Sequence, residues 1–122
     1  MEDLCKIRDL QRAIARFEAA FIQRFGLTLN EGMLLCTLLE HPCLTASELA
    51  EALGLAPSNT SKVIRSVEGK ELITRLIGKE DKRQMLFTLT SEGKRSIQEI
   101  KESTHEMPEE LIKALRSFSQ PD

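Results

Sequence analysis

Apolar residues at positions 4, 7, 10, 14, 17, 21 and 25 recur at steps of three and four, which sets them in one stripe along a helix. Arg8, Arg12, Arg16, Glu18 and Arg24 fall off the stripe, and Gly26 supplies a C-cap. Thr28 with Glu31 fits a capping box for a second helix, which runs through GMLLCTLLE to about Glu40 and is broken by His41-Pro42. Thr45 with Glu48 repeats the capping box, and the amphipathic run SELAEALGL follows as far as Gly54-Leu55. Pro57 suits the first turn of the next helix, SNTSKVIRSVEGKE. Two short helices joined by a tight glycine-containing turn predict a helix-turn-helix.

The period then changes. LITRLI (72–77) and QMLFTLT (84–90) are β-prone runs joined by the charged loop Gly78-Lys79-Glu80-Asp81-Lys82-Arg83, so a hairpin with a basic tip is expected. Thr90 caps a closing helix, SEGKRSIQEIKES, and Pro108 interrupts the stripe Ile97, Ile100, Met107, Leu111, Leu115, Phe118. The predicted class is mainly α with a small β-hairpin wing: a winged helix-turn-helix over 28–95, flanked by helices at 1–26 and 96–122, all in a single domain. The first stripe exceeds what one short neighbour covers and could pack on the domain's own core or on a second subunit. Leaving both terminal stripes exposed would create a large apolar patch. A homodimer is therefore expected, with Leu10, Ile14, Phe17 and Phe21 of the first stripe and Met107, Leu111, Leu115 and Phe118 of the second at its interface.

Composition narrows the class. The 122 residues are 41% hydrophobic and 30% charged, as in a folded soluble domain. No apolar run approaches the ~20 residues of a membrane span, so no membrane partner is expected and the chain reads as cytoplasmic. The net charge of −2 is unevenly placed. Residues 57–95 hold nine Lys/Arg against five Asp/Glu, net +4, while the remainder holds eight against fourteen, net −6. A basic segment on an acidic body directs a polyanion to one face.

Within that segment, Thr60, Val63, Ile64 and Val67 share one helical face and are expected inward. Ser58, Asn59, Ser61, Lys62 and Arg65 lie opposite or in the first turn, where hydroxyl, amide and basic groups reach phosphates or base edges. At the hairpin tip, Arg83 suits a narrow minor groove, and Asp81 stands close enough to pair with its guanidinium. Lys79 and Lys82 suit phosphates, as does Arg75 at the base of the wing. The alternative open to these residues is a winged helix that binds protein, an adaptor or antirepressor.

Leu72-Ile73-Thr74-Arg75, Asp81-Lys82-Arg83 and Leu89-Thr90-Ser91-Glu92-Gly93 resemble, without gaps, the wing of the multiple-antibiotic-resistance regulator (MarR) family. LTASELAEALGLAPSNTSKVIRSVE (44–68) resembles its helix-turn-helix. The resemblance implies a homodimeric regulator of transcription, often a repressor released by a small-molecule effector or by cysteine oxidation. It also implies interleaved terminal helices, recognition helices in successive major grooves of double-stranded DNA, and wings in the flanking minor grooves. The chain departs from the pattern where Glu71 stands in place of Gly, where Gly69 comes two residues early, and where Leu76 follows Arg75. Its C-terminal region is also shorter.

The other chemistry is sparse. Cys5, Cys36 and Cys43 have no CxxC spacing and are expected as free thiols, with Cys5 a candidate redox site beside Lys6 and Arg8. His41 and Cys43 are too few for a zinc site. No phosphate loop or Ser-His-Asp order is present, so neither an enzyme nor a cofactor is expected.

Overall fold

A computed structural model of the chain describes residues 2–103 and 107–119. They form six helices and three strands: α1 (Glu2–Phe25), α2 (Leu29–Glu40), β1 (Leu44–Thr45), α3 (Ala46–Leu53), α4 (Pro57–Gly69), β2 (Ile73–Ile77), β3 (Met85–Leu89), α5 (Ser91–Glu102) and α6 (Glu109–Ser119). The chain divides into two compact units, one of residues 29–102 and one of the two termini.

In the winged unit, α2 is the central helix and touches α3, α4, α5 and β3. Leu34, Leu35 and Leu38 of α2 are buried, as are Leu49, Thr60, Ile64, Val67, Phe87 and Leu89. Thr60 fits this interior because its hydroxyl donates to the Ala56 carbonyl at 3.0 Å, satisfying the buried oxygen. Ile97 and Ile100 of α5 are also buried here, so α5 is part of this unit and not of the terminal flank expected from residue 96 onward. The 97–118 stripe therefore serves two separate bodies.

The sheet is antiparallel in the order β1-β3-β2. Arg75 lies opposite Phe87, and Ile77 opposite Met85. Two-residue β1 pairs Leu44 with Phe87 and is too short to announce itself in the sequence.

The helix ends follow the sequence chemistry closely. Glu48 N–H donates to Thr45 Oγ1 and Thr45 N–H to Glu48 Oε1, which completes the expected capping box on α3. Gly54, with φ 67°, ends the same helix in the left-handed conformation. At the end of α4, Glu71 N–H donates to the Glu68 carbonyl and Leu72 N–H to the Val67 carbonyl, which is a Schellman motif. Its left-handed residue is Glu71, with φ 62°. Glu31, placed by the sequence in the first turn of α2, also reaches across the unit: its Oε2 accepts from Ser66 Oγ at 2.6 Å and Lys70 Nζ at 2.8 Å, tying α2 to α4.

Within the terminal unit, α1 packs on α6. Phe17, Phe21 and Phe25 form a ladder with centroid separations of 5.9 and 5.0 Å. Ala13, Phe21 and Leu111 are buried, whereas Leu4, Ile7, Ile14 and Leu115 are exposed. Leu10, Phe17 and Met107 are half-buried. The side chain of Phe118 lies outside the described residues.

Candidate nucleic-acid interface

The sequence of α4 sets which side faces out. Thr60, Ile64 and Val67 anchor one face in the core, at steps of four and three. That registration turns Ser58, Asn59, Ser61, Lys62 and Arg65 to solvent, and all five are exposed. Pro57 stands at the first turn, where its missing N–H costs no helical hydrogen bond. The N-terminal end of α4 is therefore preorganised, with an exposed polar face.

The wing begins at a tightly built junction. Thr90 Oγ1 accepts from Gly93 N–H at 3.0 Å and donates to the Glu71 carbonyl at 2.7 Å. Thr90 N–H donates to the Leu72 carbonyl at 3.0 Å. A Cβ at position 93 would collide with that same carbonyl, so only glycine lets α5 approach Leu72. The Leu89-to-Gly93 run is thus a structural knot joining the wing to the end of α4.

Lys79, Asp81, Lys82 and Arg83 are all exposed at the tip. Asp81 acts differently from expectation. Its Oδ1 accepts the backbone N–H of Arg83 at 3.0 Å, so it shapes the turn and does not grip the guanidinium. A short carboxylate two residues upstream meets the backbone first, as in an Asx turn. Gly78 N–H and the Gln84 carbonyl close the loop at 2.8 Å.

Arg75 is likewise not a free phosphate ligand. Its Nε and Nη2 donate to the two carboxylate oxygens of Glu68 at 2.7 and 2.9 Å. Its guanidinium lies 5.5 Å from the centre of the Phe87 ring. Accepting from Arg75 lowers the Glu68 pKa, and donating to Glu68 raises that of Arg75. Sequence reasoning missed Glu68, because a seven-residue separation across a helix end and a turn belongs to no local pairing rule. An open cleft of about 460 Å³ separates helix from wing, lined by Ala46, Ser61, Ile64, Arg65, Arg75, Met85 and Phe87.

Among the described residues, no three His, Cys, Asp or Glu groups converge as metal ligands, and no helix is long and apolar enough to cross a membrane. Cys5 and Cys43 are exposed and Cys36 is half-buried, all as free thiols.

The model of the MarR family matches residues 27–85, from the segment entering α2 to the first residue of β3. Residues 27–85 form a MarR-family domain. The uncharacterised helix-turn-helix-type transcriptional regulator YwaE of Bacillus subtilis (strain 168) is 26% identical over 113 residues, covering 93% of this chain. The chain spans 66% of YwaE's length, just under two thirds. Wild-type MarR of E. coli in its apo form superposes with a TM-score of 0.75 at 17% identity, over 92% of this chain and 90% of that one. Overoxidised AbfR bound to DNA superposes with a TM-score of 0.75 at 24% identity, over 98% and 89%. At these identities the solved structures establish the winged-helix fold of the MarR-family domain.

Proposed function

We propose that the chain is a sequence-specific double-stranded DNA-binding transcription regulator that acts as a homodimer. In this reading α4 lies in the major groove and the β2–β3 wing enters the flanking minor groove. The observation that carries it is the division of α4: Thr60, Ile64 and Val67 are buried while Ser58, Asn59, Ser61, Lys62 and Arg65 are exposed. The same compact unit presents Lys79, Lys82 and Arg83 at the wing tip. Short hydroxyl and amide groups read base edges at close range, and the basic groups neutralise phosphates. AbfR, of the same fold, was crystallised bound to DNA. Repression by occupying a promoter in the cytoplasm is the simplest output of such a domain, and a small-molecule effector would act by shifting the dimer away from its DNA-bound geometry.

Fluorescence anisotropy on a random-sequence duplex tests the electrostatic part of this reading. The binding constant should fall linearly with salt on logarithmic axes, with a slope of about −0.9 per phosphate neutralised. Absence of binding at low salt, or binding indifferent to salt, would favour a protein-binding winged helix instead.

A further inference from the structure

Beyond Ile73, no residue of β2 is buried: Thr74, Arg75, Leu76 and Ile77 are all exposed. β2 therefore adds no buried side chain beyond Ile73 to fix the wing's angle, and the open cleft shows that the wing is not packed flat on α4. From β2 itself, Arg75 makes two side-chain hydrogen bonds to Glu68 of α4. They use both carboxylate oxygens in a planar fork, a geometry that fixes direction as well as distance. The fork continues inward, because Arg75 lies over Phe87, which is buried and paired in turn with Leu44 of β1.

We propose that Glu68 is a positioning residue, holding Arg75, and through it the base of the wing, at a fixed angle to the recognition helix. Arg75 is then an internal strut and not a phosphate contact. The consequence is specificity: the helix-to-wing angle sets the register between bases read in the major groove and the flanking minor groove. This rests on the DNA-binding reading above, but the strut itself is testable without DNA.

Two readouts separate the possibilities. The first is hydrogen exchange of the free protein, with Leu34 and Leu38 amides as the folding control. Glu68→Gln and Arg75→Gln should each speed exchange at wing amides 76–86 about fivefold while leaving the control unchanged. The second is the ratio of affinities for the duplex best retained from a random pool and for random duplex. Both variants should lower that ratio about fivefold, the double variant no further. Arg75→Lys should lower it too, since an ammonium keeps the charge but cannot make the fork. The swap Glu68→Arg with Arg75→Glu should restore part of it. The salt slope of Arg75→Gln should match the parent. A slope reduced by about one, with Glu68→Gln binding more tightly, would make Arg75 a phosphate contact that Glu68 merely masks. Unchanged wing exchange in both single variants would remove the strut. A parent that binds no duplex would sink the DNA reading and leave exchange to decide the strut.

Discussion

Glu71 carries a φ of 62°, a region where a side chain costs roughly 1–2 kcal/mol that glycine avoids. The position is held from three sides: its N–H bonds to Glu68, its carbonyl accepts from Thr90, and Leu72 closes the Schellman turn. The resemblance noted Gly as usual here, and the structure gives the reason. Glu71→Gly should therefore stabilise the fold by roughly 0.5–1 kcal/mol in urea unfolding, after the added entropy of the unfolded chain is discounted. Equal or lower stability would show that the turn is not strained. A different residue-scale effect concerns acid. Accepting from the Thr45 backbone N–H holds the Glu48 carboxyl below its ordinary pKa, and accepting from Arg75 does the same for Glu68. A carboxyl whose folded pKa lies below its unfolded value contributes stability that is complete above the unfolded value and lost as pH falls through the folded one. Thermal unfolding should thus show a drop in Tm below about pH 4.5 that is smaller in Glu48→Gln and Glu68→Gln than in the parent. Parallel curves would contradict it.

For single elements, much was visible in the sequence where chemistry is local. The Thr45-Glu48 box, the Gly54 cap, Pro57 and the inward face of α4 all follow from spacing within one helix. What the sequence concealed was long-range. The tie from Glu31 to Ser66 and Lys70 and the pairing of Glu68 with Arg75 follow no local spacing. Asp81 was legible as a partner of Arg83, but the choice between its side chain and its backbone depends on the turn geometry. The functional reading divides in the same way. Arg83→Ala should weaken binding to a selected duplex by about 1–3 kcal/mol with folding intact, because the tip carries no core residue. Unchanged affinity at moderate salt would remove the wing from the mechanism. Lys62→Ala should either lower the salt slope by about one, as a phosphate contact, or weaken binding in a sequence-dependent way, as a base contact. If neither changes, this face of α4 does not meet DNA.

At the scale of the whole molecule, the terminal unit still displays Leu4, Ile7, Ile14 and Leu115 after α1 has packed on α6. Phe21 and Leu111, expected at a dimer interface, are already buried within one chain, so substitutions there would confuse unfolding with dissociation. Ile14 is 37% exposed, which makes Ile14→Asp the cleaner probe. It should turn a dimer into a folded monomer in light scattering, since pairing would bury an uncompensated carboxylate. A parent that is already monomeric would remove the dimer. The central claim joins this pairing to base reading by α4, and selection from a random duplex pool tests both at once. Two copies related by a two-fold axis should enrich a pseudo-palindrome whose half-sites lie about one helical turn, roughly 10 base pairs, apart. Lys62→Ala or Arg83→Ala should alter its consensus or weaken its enrichment. Recovery of no enriched sequence, or of a single unpaired half-site, would contradict the account.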